Sequence, residues 1–223
     1  MKMTKEQLAQ MIDHSLLRPN ATREELKKFC QESVEYRFKA VCINPVHVKE
    51  AVQLLDGKNV LVCSVVGFPF GTHSPKAKAY ETQEVIRLGA REVDMVIRVG
   101  ALVEKRDQEV IEDIRTVVEA AQGCPVKVIL ETCYLSQKEK VRACQLVMEA
   151  GASFVKTSTG FASGGATAED VRLMRETVGK AFGVKAAGGI RTFEDALRMI
   201  EAGASRLGTS SSVNIMKALI GSA

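Results

Sequence analysis

Short apolar segments rich in β-branched residues alternate with charged, amphipathic segments along the chain, and this alternation most constrains its fold. The apolar segments predict strands, and segments such as PKAKAYETQEVIRLG, with apolar residues at helical spacing, predict the helices between them. Strands that are apolar almost throughout and are each followed by a helix are typical of a parallel sheet covered by helices. Seven strands are predicted, at residues 39–44, 60–66, 92–97, 126–131, 153–158, 184–188 and 205–210.

A short segment near the start, MIDHSLL at residues 11–17, supplies an eighth candidate strand. Eight strands with helices between them, in a chain of 223 residues, indicate a (β/α)8 barrel, whose usual size is about 250 residues. No Pro/Ser-rich linker and no low-complexity tract divides the sequence. We therefore expect residues 1–223 to form a single-domain (β/α)8 TIM barrel.

Composition and charge argue against two classes of partner. The chain has no Trp and three Tyr, and its basic residues are interleaved with acidic ones, so we expect no nucleic-acid surface. The longest apolar run, NVLVCSVVGFPFG, is too short for a membrane span and ends in turn residues, so we expect no membrane partner. A net charge of +4 remains compatible with a small anionic substrate.

The cysteines predict a reducing compartment. Six cysteines are scattered without a CxxC pair, and several lie inside predicted strands, which favours reduced core thiols over disulfides. The first residues contain no apolar signal segment. We expect a cytoplasmic protein.

An internal repeat places three residues at equivalent positions. EAGASFVKTS at 149–158 and EAGASRLGTS at 201–210 share seven of ten residues, and RLGAREVDMV at 87–96 follows the same helix–Gly–Ala–strand plan. Aligned on Gly-Ala, Asp94, Lys156 and Gly208 coincide, on the fourth, sixth and eighth predicted strands. Because alternate strands of such a barrel fill one interior layer, the three residues are expected to share a layer. Gly208 would leave space there for a ligand.

Two lysines end apolar strands, Lys156 in FVKTS and Lys185 in VKAAGG, and active sites of these barrels form where strands end. A lysine is nucleophilic only when neutral, and burial or a neighbouring cation lowers its pKa, by up to ~3–5 units when fully buried. With Asp94 beside them, one lysine would stay charged, while the other loses its proton and acts as the nucleophile. The alternative is a buried ion pair, or a lysine reaching the barrel rim. That alternative is favoured for one lysine alone, whereas two lysines and an aspartate in matching positions favour catalysis.

Three glycine- and hydroxyl-rich segments follow the last three predicted strands, namely TSTG (157–160), AAGGI (186–190) and GTSSS (208–212). Backbone amides there, together with helix N-termini, predict an anion site, and such barrels often bind phosphate after strands seven and eight. Arg191 would either add a cation to this site or be exposed to solvent. The alternative is that these glycines only form tight turns between strands and helices.

The remaining motifs do not indicate a further catalytic, metal or nucleotide site. SFVK matches SxxK, but residues three apart on a strand point to opposite faces, which excludes that mechanism. His14, His47 and His73 lack metal-ligand spacing, so we expect them on the surface or in polar networks. Neither a Walker loop nor GxGxxG occurs, so nucleotide binding is not expected.

These motifs, taken in order, resemble the deoxyribose-phosphate aldolase family of class I, Schiff-base aldolases. The resemblance covers nearly the whole chain and includes DHSLL, VCINP (41–45), VVGFPFG (65–71), EVDMVI (92–97), KVILET (127–132), FVKTSTGF (154–161), VKAAGGIR (184–191) and RLGTSSS (206–212). It implies a (β/α)8 barrel without metal or organic cofactor. The implied reaction is reversible cleavage of 2-deoxy-D-ribose 5-phosphate to D-glyceraldehyde 3-phosphate and acetaldehyde, in deoxynucleoside breakdown.

The resemblance also assigns roles to residues. It makes Lys156 the Schiff-base lysine, Lys185 the group that perturbs the pKa of Lys156, and Asp94 the third member of a proton relay. It implies a homo-oligomer, either a dimer or a tetramer. The implied phosphate and substrate contacts are Thr159, Gly160, Gly188, Gly189, Ser210 and Ser211.

The sequence departs from some relatives at two places. Phe161 stands where some carry a lysine after TSTG, and the chain ends in ALIGSA where some have a tail with a tyrosine. Three other functions stay open: another Schiff-base phosphosugar aldolase, a phosphosugar isomerase on the same barrel, and a barrel that only binds a sugar phosphate. An isomerase needs no neutral lysine and would give no adduct on reduction with hydride.

Overall fold

Eight parallel strands form a closed barrel at the centre of the computed structural model, which describes residues 3–221. The strands are paired in chain order, and the last pairs with the first, so the predicted single-domain (β/α)8 barrel is confirmed. Each predicted strand is present. The strands are β1 (Ile12–Leu16), β2 (Ala40–Ile43), β3 (Leu61–Val66), β4 (Glu92–Val96), β5 (Val126–Ile129), β6 (Phe154–Lys156), β7 (Gly183–Ala187) and β8 (Arg206–Thr209).

Seven of the eight strands are shorter than the apolar segments that predict them, and β6 shows the reason; β7 has the predicted length but begins one residue earlier. The prediction covers 153–158, whereas the strand ends at Lys156. The hydroxyl of Thr157 donates to the carbonyl of Ala187 at 3.0 Å and accepts from its amide at 3.0 Å. A side chain therefore takes over backbone pairing, and the chain is free to turn into the loop above the barrel.

Helices connect the strands and cover the barrel. Several begin at a Ser or Thr whose side chain accepts a backbone N–H of the first turn, for example Thr22, Ser136 and Thr192. Among the described residues, none of the helices is both long and apolar enough to cross a membrane. The helices are α1 (Lys5–Ala9), α2 (Arg23–Tyr36), α3 (Val48–Leu54), α4 (Pro75–Arg87), α5 (Val99–Val103), α6 (Asp107–Ala120), α7 (Gln137–Glu149), α8 (Ala168–Val178), α9 (Phe193–Glu201) and α10 (Ser212–Gly221), with 3-10 turns at Pro45–His47 and Thr132–Tyr134.

The barrel interior differs from the layer between strands and helices. The outer layer is a continuous apolar core built by residues such as Val41, Val93 and Ile114. Inside the barrel, a small apolar cluster lies on β2 and β3 and consists of Ala40, Cys42, Cys63 and Val65. The interior positions of the other strands are largely charged, as described below. The interior is therefore apolar beside β2 and β3 and largely charged elsewhere.

Two glycines make room inside the barrel. A Cβ on Gly183 would lie 2.1 Å from the ring of Phe154, so the absence of a side chain on β7 admits that ring. The ring of Phe154 lies 5.5 Å from the guanidinium of Arg206, and the two fill the interior at the N-terminal end of the strands. A Cβ on Gly208 would lie 3.0 Å from Cε of Lys185.

The first two and last two residues of the predicted domain, and with them the end of the tail that lacks a tyrosine, lie outside the described residues.

Candidate active site

The carboxylate of Asp94 lies at the centre of the charged half of the barrel. Its Oδ2 accepts hydrogen bonds from Nζ of Lys156 at 2.8 Å and from Nζ of Lys185 at 2.7 Å. Its Oδ1 accepts from Nζ of Lys127 at 2.8 Å. All four side chains are buried. The structure therefore brings together the three residues that the sequence predicted as catalytic, and it adds a third lysine.

The barrel register explains how this cluster is assembled. Lys156 on β6 lies directly opposite Lys185 on β7, and Asp94 on β4 lies opposite Lys127 on β5. Because residues on neighbouring parallel strands that share a register point to the same face, all four side chains enter the interior. Gly208 on β8 lies beside Ala187 and leaves room for the Lys185 side chain. The glycine of the repeat thus accommodates a lysine as well as bordering the open space above it.

A second set of charged groups lies deeper in the barrel. Asp13 on β1 accepts from Nζ of Lys185 at 2.5 Å and from Nη1 of Arg206 at 2.7 Å. Glu92 on β4 accepts from Arg206 at 3.1 Å and lies 2.7 Å from Nζ of Lys127. Arg206 and Glu92 are thus linked to the cluster around Asp94 through Asp13, Lys127 and Lys185.

Sequence reasoning missed these four residues, although a signal was present. Asp13, Glu92, Lys127 and Arg206 each interrupt or border a predicted strand that is otherwise apolar. A charge at such a position is costly to bury unless it is paired, so four of them predict partners inside the barrel. Which residues pair could not be read from the sequence, because Asp13 and Arg206 are joined only by closure of the barrel.

The number of charges bears on the protonation of this network. In the part of the chain that the structure describes, it holds three carboxylates and four basic groups, so it is electrically balanced when one lysine is neutral. Lys185 contacts two carboxylates at under 3 Å, whereas Lys156 contacts Asp94. Lys156 therefore has fewer carboxylate partners than Lys185, and it is also the lysine that borders the open cavity described below.

The pKa shifts follow the same geometry. Burial favours a raised pKa for Asp94, but the ammonium groups of Lys127, Lys156 and Lys185 outweigh it and hold that pKa well below its usual range. Burial favours a lowered pKa for Lys185, but the carboxylates of Asp13 and Asp94 outweigh it and raise that pKa above its usual range. Lys185 therefore remains charged.

A cavity of about 370 Å³ opens above Lys156 at the C-terminal end of the strands. Lys156 lines it, whereas Lys185 and Asp94 lie below and reach it through Lys156. Two arginines, Arg18 and Arg191, also line it. The structure places all six predicted phosphate and substrate contacts in its wall, namely Thr159, Gly160, Gly188, Gly189, Ser210 and Ser211.

The cavity wall next to β7 and β8 has the features of an anion site. Gly188 and Gly189 both have positive φ, 91° and 79°, and this conformation turns backbone amides to one side in a way that side chains would oppose. The hydroxyl of Thr209 donates to the carbonyl of Ile190 at 2.6 Å and accepts the Ser211 amide at 2.9 Å, which ties the two loops together. Helix α10 begins directly after, at Ser212.

Comparisons with known proteins agree with this geometry. The profile of the DeoC/LacD family aldolases matches residues 7–218. The chain belongs to the DeoC/LacD family of aldolases. It is 58% identical over 217 residues to the deoxyribose-phosphate aldolase of Carboxydothermus hydrogenoformans, covering 96% of this chain and 95% of that protein. It is 57% identical over 210 residues to the one of Bacillus cytotoxicus, covering 94% of each chain.

Solved structures of DeoC/LacD-type aldolases share the fold. The deoxyribose phosphate aldolase of Aeropyrum pernix, described as having a unique tetrameric structure, superposes with a TM-score of 0.92. It is 33% identical, and the match covers 99% of this chain and 94% of that chain. The family that the sequence motifs indicated is thus confirmed.

In this DeoC/LacD-family aldolase, Glu131 is a further residue of the cavity region that sequence reasoning missed. It directly follows β5 and is buried, with a positive φ of 53°. Its carboxylate accepts the amide of Thr159 at 3.2 Å and also accepts the Thr159 hydroxyl. Thr159 therefore lines the cavity with both of its donors directed to Glu131, and Glu131 fixes the start of the TSTG turn.

The cations that line the cavity differ from the sequence expectation. Arg18, which the sequence did not single out, follows β1, and its guanidinium is held by Glu25 and by the side chain of Asn20 at 3.2 Å. Arg191, which the sequence did single out, lines the same cavity. Phe161, where some relatives carry a lysine, packs edge-on against Phe68 with ring centroids 5.4 Å apart. Its side of the cavity is apolar.

One group of side chains has the composition of a metal site. Among the described residues, Cys42, Cys63 and Asp94 offer ligand atoms within 4.8 Å of one another. Three lysine side chains already donate to Asp94, and the charges of Lys127 and Lys185 oppose a further cation. The arrangement is therefore suited to proton transfer and not to metal binding.

Proposed function

We propose that this aldolase reversibly cleaves 2-deoxy-D-ribose 5-phosphate to D-glyceraldehyde 3-phosphate and acetaldehyde through a Schiff base on Lys156. One observation carries the proposal: Nζ of Lys156 lines the cavity and is hydrogen-bonded to a carboxylate that two further lysines share. The names of the similar proteins from Carboxydothermus hydrogenoformans and Bacillus cytotoxicus support the same substrate.

The chemistry begins with the neutral amine of Lys156. It adds to the C1 carbonyl of the open-chain sugar, and loss of water from the carbinolamine gives an iminium ion. The C3 hydroxyl then loses its proton, the C2–C3 bond breaks, and its electron pair moves into the iminium to form an enamine. Glyceraldehyde 3-phosphate leaves at this point. Protonation of the enamine at C2 and addition of water to the iminium release acetaldehyde and restore the amine.

The buried groups beneath Lys156 supply the proton transfers. Lys185 is held charged between Asp13 and Asp94, and it shares Oδ2 of Asp94 with Lys156. A proton can therefore pass between the two lysines through one carboxylate, without a change in the total charge of the barrel interior. We assign Lys185 and Asp94 to this relay.

The phosphate group occupies the cavity wall formed by the loops after β6, β7 and β8. Gly160, Gly188 and Gly189 contribute backbone amides, and Ser210 and Ser211 contribute the loop that begins α10. Arg18 and Arg191 supply positive charge from the rim, in place of the lysine that some relatives carry where this chain has Phe161.

We also propose a homo-oligomer, a dimer or a tetramer, working in a reducing, cytoplasmic environment. The tetrameric relative from Aeropyrum pernix supports assembly. All six cysteines are free thiols, and four of them are buried, which supports a reducing compartment.

The test is reductive trapping. The protein is mixed with 2-deoxyribose 5-phosphate, reduced with borohydride, digested and analysed by mass spectrometry. We expect a stable adduct on the peptide that contains Lys156, absent from Lys156→Leu and retained in Lys180→Leu, which removes an exposed lysine. Circular dichroism is used to check that both variants are folded.

Two results would overturn the proposal. An isomerase would convert the sugar phosphate without releasing acetaldehyde and without any trapped adduct. A barrel that only binds the sugar phosphate would retain its affinity in Lys156→Leu and show no turnover in either protein.

A further inference from the structure

A chain of polar side chains runs from helix α2 to the start of helix α10, on the outer side of β1. Nε2 of His14 lies 3.1 Å from Oε2 of Glu32, and Nδ1 of His14 lies 2.9 Å from Oγ of Ser212. The Ser212 hydroxyl in turn donates to the carbonyl of Thr209 at 3.1 Å. The chain ends on the backbone of the loop between β8 and α10. The proposed reaction mechanism uses none of these side chains.

The order Ser–His–Glu resembles a hydrolase triad, but the surroundings exclude that role. A nucleophilic serine must reach its substrate. Ser212 is 0% exposed and is not among the residues that line the cavity, and its hydroxyl already donates to Thr209. The chain of contacts is therefore a means of holding the backbone in place.

His14 is itself fixed by ring packing. Its imidazole stacks on the ring of Phe29, with centroids 4.0 Å apart and planes 10° apart, and it lies against Phe38 at 5.2 Å. Phe29 also lines the cavity. A ring held in this way between α2 and α10 cannot turn away from Ser212 without displacing a cavity wall.

The loop that His14 supports is the one proposed to hold phosphate. Ser210 and Ser211 directly precede Ser212, and the amide of Ser211 donates to the hydroxyl of Thr209. The carbonyl and hydroxyl of Thr209, bonded to Ser212 and to Ile190, fix the loop on two sides. A change in the hydrogen bond between His14 and Ser212 alters one of these two anchors.

We propose that His14 is a positioning residue for the phosphate end of the substrate, acting through Ser212 on the amides and hydroxyls of Ser210 and Ser211. This inference rests on the proposed function, since it presumes a phosphorylated substrate. Its effect falls on binding of the phosphate and not on the chemistry at Lys156, which lies on the inner face of the barrel.

Two amide substitutions separate the two bonds of the imidazole. An Asn side chain places its amide near the position of Nδ1, so His14→Asn can keep the bond to Ser212 and lose the one to Glu32. A Gln side chain reaches the position of Nε2, so His14→Gln keeps Glu32 and loses Ser212. His14→Leu loses both. The kinetic parameters kcat and KM are measured for each variant, with 2-deoxyribose 5-phosphate and with unphosphorylated 2-deoxyribose.

We expect KM for the phosphate ester to rise about tenfold in His14→Leu and His14→Gln, the loss of about one hydrogen bond, with kcat within about twofold. We expect His14→Asn to recover most of this loss. On 2-deoxyribose all three variants should lose at most about twofold in kcat/KM. Inhibition by inorganic phosphate should weaken in step with KM.

Other outcomes overturn the inference. Equal losses on both substrates in His14→Leu, or rescue by His14→Gln in place of His14→Asn, would show that His14 only supports the packing of α2. If the wild-type protein itself did not distinguish 2-deoxyribose 5-phosphate from 2-deoxyribose, the proposed phosphate site would fail together with the inference. Normal phosphate preference in all three variants would refute the positioning role alone.

Discussion

Gly208 offers a direct test of how tightly the lysine cluster is packed. In Gly208→Ala, the new methyl would lie 3.0 Å from Cε of Lys185 and 3.1 Å from Cβ of Ala187. Both distances are shorter than ordinary carbon contacts, which begin near 3.5 Å. The φ of Gly208 lies outside the left-handed region, so alanine adds no backbone strain, and the effect is purely one of space.

The neighbours determine where the strain goes. Ala187 belongs to β7 and cannot retreat, so Lys185 must move, and its Nζ bridges Asp13 at 2.5 Å and Asp94 at 2.7 Å. Losing one charge-assisted hydrogen bond costs about 1.5–3 kcal/mol. If that bond is needed in the transition state, kcat/KM falls by about 10- to 150-fold. We expect the loss in kcat, because the displaced group belongs to the proposed proton relay.

The assay follows release of glyceraldehyde 3-phosphate from 2-deoxyribose 5-phosphate in a coupled reaction, with urea unfolding as a check on the fold. Gly100→Ala is the matched control, since its new methyl would meet no atom within 4 Å. That variant should keep its activity and gain about 0.5–1 kcal/mol of stability from helix propensity. A folded Gly208→Ala protein with kcat/KM within twofold of wild type would refute the argument that Lys185 is held without room to shift.

Three further predictions concern stability and thiol reactivity. Lys78→Met should lower the free energy of unfolding by about 3–5 kcal/mol, because it leaves the fully buried Asp113, 2.5 Å from the Lys78 ammonium, without its partner. Replacing both Lys78 and Asp113 by apolar residues should restore much of the lost stability. An unchanged urea midpoint in Lys78→Met would contradict the prediction. Burial favours a raised pKa for Asp13, yet the surrounding cations lower that pKa to about 2. The ionised Asp13 should therefore contribute roughly 2 kcal/mol to the free energy of unfolding above about pH 4, and this contribution should be lost as the pH falls towards 2. Urea unfolding from pH 7 to pH 2.5 measures it, and a stability that stayed constant below pH 4 would contradict the prediction. Iodoacetamide at pH 8 should modify the exposed Cys133 within minutes but Cys144 only after denaturation, since burial raises the pKa of Cys144 to about 12; mass spectrometry gives the sites, and early labelling of Cys144 would show local opening.

The fold could be predicted from the sequence because each strand–helix unit carries its own signal. The apolar strands, the helix-period segments and the Gly-Ala connections placed β4, β6 and β8 correctly. The repeat even aligned Asp94 with Lys156, since two units with the same connection deliver the same position to the same interior layer. These are local patterns, and local patterns are what a single sequence shows.

Contacts across the barrel could not be predicted in the same way. Asp13 and Arg206 are 193 residues apart and meet because β8 pairs with β1. Arg18 reaches the cavity from a loop, where no periodicity indicates which way a side chain points. Glu131 itself has a left-handed backbone conformation, which a sequence does not indicate for residues other than glycine. The sequence therefore singled out Lys156, which the structure places at the cavity, but not the groups that hold its surroundings.

The packing of Phe154 against Arg206, at the N-terminal end of the barrel interior, bears on the source of the hydrogen atoms that the reaction transfers. Lys127 and Lys185 are fully buried, Phe154 and Arg206 pack together at the N-terminal end of the interior, and Lys156 borders the open cavity. We therefore expect these ammonium groups to exchange hydrogen with bulk water through the mouth of that cavity. A sugar phosphate seated in that mouth isolates the lysine cluster while it is bound. The barrel then holds its own small reservoir of hydrogen during a turnover. A hydrogen taken from one substrate could be delivered to the enamine before the solvent replaces it.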